Sequence, residues 1–213
     1  MTATSPRTFQ LIPHPKTPCA AVQSLTVKVH APLFPTCHTP QPSLSGWCLR
    51  YRLEADISQI LVPPVAPQPG PADNLWQHTC FEAFLGPADH PAYREFNFSP
   101  SGHWAAYAFS GERERDEAAE NASGWAASIS LNLQPDVLVL EAWLPPMIGS
   151  RAPDALKMGL TAVIETQDQG LSYWALQHPA ERPDFHQKSF WTACLDQGHS
   201  VPNGTIGLNS SNT

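Results

Sequence analysis

Basic residues, and charge of any kind, are scarce in this chain. Lys and Arg number 12 against 19 Asp and Glu, a formal net charge of −7, and the four charged types make up only 15% of the 213 residues. Nucleic acid and anionic membranes both attract proteins through clustered Lys and Arg, so neither is an expected partner. No window approaches the roughly 18 consecutive apolar residues of a membrane helix, and residues 1–10 lack the apolar run of about seven that a signal peptide needs. A cytoplasmic location is therefore expected. The five cysteines (Cys19, Cys37, Cys48, Cys80, Cys194) are odd in number and dispersed, with no C-x-x-C pair. That spacing points to reduced, mostly buried thiols. In such a setting the sequons at Asn121, Asn203 and Asn209 carry no meaning. Glycine is sparse too. Its 12 copies form no G-x-G-x-x-G phosphate loop, and no G-x-S-x-G nucleophile elbow is present.

Proline is the exception, with 23 copies in 213 residues, about twice the usual share of roughly 5%. Because proline fits neither helix interiors nor central strands, the chain reads as short elements joined by rigid turns. A chain of this length buries about 70% of its unfolded surface, which suffices for one domain without disulfides or a structural metal.

Period-2 alternation dominates the apolar pattern and marks strands with one face in a core. Leu25, Val27 and Val29 alternate with Thr26 and Lys28, and Leu49, Tyr51, Leu53 and Ala55 alternate with Arg50, Arg52 and Glu54. Further strands are expected at 79–85, 93–98, 103–109, 125–131, 137–144, 156–165 and 172–176, about nine in all. Ser99-Pro100-Ser101-Gly102 reads as a hairpin turn, proline presetting one dihedral and glycine free to take a positive one. The links are too short for the crossovers that parallel pairing needs, so the sheets should be antiparallel. Nine strands with apolar faces predict an all-β, single-domain, two-sheet β-sandwich of jelly-roll or immunoglobulin-like shape over residues 8–195. Residues 62–71 hold five prolines and predict an extended loop. The acidic stretch 111–120 suits a short surface helix or a mobile loop, and the small polar residues of 196–213 a disordered tail.

The densest run of chemistry lies between Trp76 and Phe109, where Glu82, Glu95, Asn97 and His103 stand among aromatics. On a strand, Cys80, Glu82 and Phe84 share the face opposite Thr79, Phe81, Ala83 and Leu85, and Tyr93, Glu95 and Asn97 share another. Two readings suit the polar members: hydrogen bonds to Arg50, Arg52 or backbone that complete a polar sheet face, or a ligand-binding surface. Trp125 and Trp143 lie in apolar alternation and are expected in the core, whereas Trp76 and Trp174 stand near element ends, where aromatic platforms receive ligands. Nothing assembles a nucleophilic triad from Asp184 and His186. His78 with Cys80 makes only two ligands, short of a zinc site, and His178 and His186 lie in Pro-containing loops.

The segments F-x-L-I-P-H-P at 9–15, L-W-Q-H-T-C-F-E-A-F at 75–84, E-F-N-F-S-P-S-G-H-W-A-A-Y at 95–107, G-L-T-A-V-I-E at 159–165 and Y-W-A-L-Q-H-P with P-D-F-H within 173–186 together resemble the bacterial DOMON-like domains. That superfamily also includes the family 9 carbohydrate-binding modules. The resemblance implies a β-sandwich with a non-catalytic, ligand-binding role. In the related modules two tryptophans clamp a sugar beside Glu, Arg and Asn, and the matching positions are Trp76, Glu82 and Trp174. With Asn97 and His103 these make the expected ligand site, for a small molecule such as a sugar or sugar conjugate. The modules' calcium-binding acidic loop has no counterpart here. Other DOMON domains bind haem through Met and His, for which Met147 and Met158 are available, although Met158 on an apolar strand reads as core. A protein-interaction module is the third reading, with oligomeric state left open.

Overall fold

A computed structural model describes residues 6–30, 46–144, 155–168, 170–179 and 181–196. Cys37, Met147, Asn203, Asn209 and the expected tail beyond Asp196 lie outside them. Nine strands fall where the alternation places them: β2 (Val22–His30), β3 (Trp47–Ala55), β4 (Cys80–Pro87), β5 (Tyr93–Phe98), β6 (Trp104–Gly111), β8 (Ser128–Leu133), β9 (Val137–Leu144), β10 (Ala155–Glu165) and β11 (Leu171–Ala175). Three more carry too little pattern to be read from sequence: β1 (Arg7–Pro13), the two-residue β7 (Glu114–Arg115) and β12 (Ala193–Asp196). The acidic stretch ends in one short helix, α1 (Glu117–Ser123), whose Asp116 side chain caps the Ala119 N–H. No residue of α1 is buried.

Every ladder between strands is antiparallel, and the strands follow one continuous path, β7-β6-β5-β4-β10-β11-β1-β2-β3-β9-β8, with β12 on β10. The expectation of two separate sheets is corrected by β1. Its residues Arg7 to Leu11 pair with β2, and Ile12 and Pro13 then pair with β11, so one strand carries the ladder from one half of the sheet to the other. Pro13 has no N–H to extend that second pairing. Residues of both halves share one core. Leu25, Leu53 and Leu140 meet Phe81, Phe96 and Leu160 there, and the Tyr51 hydroxyl on β3 donates to the Glu82 carbonyl oxygen on β4 at 2.7 Å.

The hairpin turn forms as read: Gly102 adopts φ +88° and its N–H donates to the Ser99 carbonyl at 2.9 Å. The proline-rich stretch runs as a strap along this hairpin, the Ala66 and Ala72 N–H groups donating to the carbonyls of Ser101 and Trp104. Trp125 packs half-buried on Phe96, with ring centroids 4.8 Å apart. Trp143 departs from expectation: it shares the outer face of β9 with Glu141, because Leu138, Leu140, Ala142 and Leu144 take the core side.

A second, smaller layer covers the opposite face of β4, β5 and β10. Trp191 lies on Gly159, where a Cβ would stand 2.6 Å from the indole Cδ1, and Phe84, Tyr93 and Trp191 form their own buried cluster. The Trp191 Nε1–H donates to the Phe185 carbonyl at 2.9 Å, and Lys188 Nζ donates to the His90 carbonyl at 2.6 Å. Residues 185–191 are thereby tied down as a cover. All of β4 from Cys80 to Gly86 is consequently buried on both faces.

Candidate functional site

Antiparallel register brings four polar side chains together beneath this cover. Glu82 on β4 lies directly opposite Asn97 on β5 and Thr161 on β10, and Phe84 lies opposite Glu95. The Thr161 hydroxyl donates to Glu82 Oε2 at 3.0 Å, and the Asn97 amide donates to Glu95 Oε1 at 2.9 Å. Glu82, Glu95 and Asn97 are only 2%, 6% and 0% exposed. The Asn97 carbonyl oxygen Oδ1 is buried without a hydrogen-bond partner. A buried acceptor left in this way costs about 1–3 kcal/mol, so its retention needs a reason outside packing.

His186 of the cover closes one side. The Tyr93 hydroxyl accepts from the Arg113 backbone N–H at 3.1 Å and lies 2.7 Å from His186 Nδ1. The other ring nitrogen, Nε2, lies 3.7 Å from Glu95 Oε2. Burial, with Arg113 nearby, pulls the His186 pKa down to about 4, so the ring is neutral at pH 7 and forms no ion pair with Glu95. Asp184 fixes the segment by accepting from the His186 N–H at 3.0 Å and the Arg113 guanidinium at 2.8 Å.

Burial also dominates the carboxylates. It pushes Glu82 well above the ordinary carboxylate range, with the neighbouring Glu95 charge adding to the rise, and it raises Glu95 despite the Asn97 hydrogen bond. Among the described residues no Lys or Arg side chain bonds either carboxylate. The expected pairing of these groups with Arg50 or Arg52 is corrected: Arg50 holds Glu141 at 3.0 Å and Arg52 holds Glu54 at 2.9 Å, on the other half of the sheet. Desolvated carboxylates in a cluster with an orphaned acceptor are a functional-site signature.

Of the five residues read from sequence as ligand contacts, Glu82 and Asn97 meet here. Trp76 stands in the turn Leu75–Gln77, which packs on β4 and β5, and is 47% exposed. His103 does not join them. Its Nδ1 lies 3.0 Å from the Gly70 carbonyl oxygen, so the ring anchors the proline strap to the hairpin. His103→Ala should cost about 1 kcal/mol, the usual worth of one hydrogen bond, and leave ligand affinity unchanged. Thermal melts and titration of the same variant check both halves of that expectation.

Trp174 lies apart from this cluster, on the other face of the sheet. It pairs with Ala162 and Pro13, is 4% exposed and belongs to the main core. An open depression of about 450 Å³ is lined by Trp174 itself with Leu11, Ile12, Pro18, Cys19 and Val22, and by no charged side chain. Tyr173, one residue earlier, pairs with Val163 and so shares the face of Thr161 and Glu82. A one-residue step on a strand reverses the face, which is why the larger aromatic misleads. Glu95, Tyr93, Tyr173, Thr161 and His186 complete the cluster. For Tyr93 and Glu95 the shared parity with Asn97 was the available signal, whereas for His186 and Thr161 the sequence held none.

No metal-binding group of three or more His, Cys, Asp or Glu occurs among the described residues. His78 is largely exposed with Nδ1 2.8 Å from Glu165 Oε2, while Cys80 is buried, and Met158 is fully buried in the core.

No family model matches the chain, and no curated protein matches it. Among solved structures the chain is similar to a "putative carbohydrate-binding protein" from Bacteroides uniformis ATCC 8492, at 16% sequence identity and a TM-score of 0.61, over 89% of this chain and 85% of that one. Such a likeness establishes a common fold.

Proposed function

We propose that this chain is a non-catalytic binding domain for a polar small molecule, a sugar or sugar conjugate, held at the Glu82, Asn97 and Glu95 face with Trp76 at its rim. The observation that carries this reading is the Asn97 carbonyl, buried and unpaired between two carboxylates. Hydroxyl groups are donors suited to such acceptors, and the C–H face of a pyranose suits an exposed indole. The structural neighbour, described as a carbohydrate-binding protein, and the resemblance of the 75–84 segment to DOMON-like and family 9 modules support the same reading. The half-and-half sheet, joined through β1, serves in it as a sandwich-like scaffold. A cytoplasmic setting, with Cys19, Cys80 and Cys194 as free thiols, belongs to the proposal.

The test is a titration of mono-, di- and nucleotide-sugars followed by tryptophan fluorescence. A saturable change is expected for one class, and Trp76→Ala should weaken it roughly three- to tenfold, the worth of one aromatic contact. Silence across the panel from a folded protein overturns the proposal.

A further inference from the structure

We infer that the outer edge of β8 is an interaction surface for a second copy of this chain, the two β8 strands pairing antiparallel about a two-fold axis at Leu131. The inference is independent of the binding reading above.

The two ends of the strand path are built differently. At one end β7 has only Glu114 and Arg115, both exposed and both charged. Short length and charge are the usual protections of a sheet edge against pairing with another chain. At the other end β8 runs for six residues, SISLNL, without charge, proline or glycine. Among the described residues β9 is its one strand partner.

Register fixes which backbone groups look outward. The Gln134 N–H donates to the Val137 carbonyl at 2.8 Å and closes the β8–β9 hairpin. Bonded and non-bonded pairs alternate from there, so Asn132, Ser130 and Ser128 bond to β9, while the N–H and C=O groups of Ile129, Leu131 and Leu133 point away from it. A second β8 with Leu131 opposite Leu131 sets each Ile129 opposite a Leu133, and every such pair can exchange both bonds.

Side chains fit the same axis. Ile129, Leu131 and Leu133 lie opposite Ala142, Leu140 and Leu138, on the core side of the sheet. Yet Ile129 and Leu131 are only half-buried, and Leu133 is 45% exposed. The core therefore reaches this edge uncovered, and the same three residues of a second copy extend it.

Charge decides the occupant. Each chain carries a formal net charge of −7, so two copies repel unless they meet where charge is absent. Residues 121–135 contain no Asp, Glu, Lys, Arg or His. Behind them Glu141, opposite Ser130, is held by Arg50 at 3.0 Å. Self-pairing at β8 thus brings no like charges face to face.

Sedimentation of the full chain should show monomer passing to dimer between about 5 and 500 μM, and the segment 128–133 should exchange its amide hydrogens more slowly at the higher concentration while 112–116 does not. Leu131→Pro removes an outward N–H at the axis without taking a bond from β9, and should weaken the dimer about tenfold or more. Should that variant fail to fold, Ser130→Lys, at an exposed side chain, sets cations on both sides of the axis and gives the same readout. A chain that stays monomeric across this range overturns the inference and leaves the edge to a strand of another protein. A dimer that survives the folded variant, or that leaves exchange in 128–133 unchanged, overturns its assignment to β8.

Discussion

Glu82→Gln is expected to raise the melting temperature at pH 9 by roughly 5–10 °C, the equivalent of about 3 kcal/mol for a domain of this size. The sign follows from linkage. Glu82 is raised in the folded chain, by burial first and by Glu95 second, so it binds its proton more tightly folded than unfolded. Below the ordinary carboxylate range both states are protonated and the substitution is nearly neutral. As pH climbs from about 5 toward 9, the unfolded chain ionises freely while the folded one resists, and the wild type loses stability that the amide variant keeps. His186 acts in the opposite direction at low pH, since its folded pKa is depressed and its contribution is lost as pH falls below about 6.5. That loss is common to both proteins and cancels in the difference between them. The introduced amide also faces Asn97 across the ladder and can donate to its unpaired Oδ1. Melting curves of the two proteins at pH 5, 7 and 9 provide the comparison. A lower melting temperature for the variant at pH 9 would show that the carboxylate is held by a favourable charge partner, contrary to the geometry.

Trp174→Ala should destabilise the fold by about 3–5 kcal/mol, the cost of emptying an indole-sized space in a core, and lower the melting temperature by roughly 10 °C or more. Its ring is packed where β1 hands the sheet from one half to the other, so little can collapse into the gap. Ligand affinity per folded molecule should be unchanged. A platform residue would give the reverse, with weak binding and an intact melt. Tyr173→Ala, on the opposite face of the same strand, is expected to alter binding with the smaller stability cost of a half-buried ring. If Trp174→Ala melts like the wild type and binds no ligand, the core assignment is wrong.

Much of the architecture was legible because it depends on local, periodic information. Leu25, Val27 and Val29, or Leu49, Tyr51 and Leu53, alternate with polar neighbours strictly enough that their core faces are fixed by parity alone, and all are buried. The Ser99 to Gly102 turn was readable because only a few residue types accept its dihedrals. Parity likewise put Glu82 and Phe84 on one face of β4, and Tyr93, Glu95 and Asn97 on one face of β5. Apolar alternation misled at Trp143, which stands on the outer face of β9, whereas Trp174 was read from its place near an element end and from the resemblance, neither of which reports a face. Parity sorts the two faces of β4 but does not show that both are buried, because the second is covered by residues 185–191, far away in the chain.

The sequence by itself thus determined an antiparallel all-β chain, its turns, and the polar side chains that stand together on β4 and β5. Tertiary structure decided the rest. Only the register of β4 with β5 and β10 places Glu82 against Asn97 and Thr161, and only the return of residues 185–191 brings His186 over Glu95 and turns an outer sheet face into a buried one. The distinction is physical: alternation and turn dihedrals act over a few residues, whereas register, the handover at β1 and the desolvation of paired carboxylates arise between segments far apart in the chain.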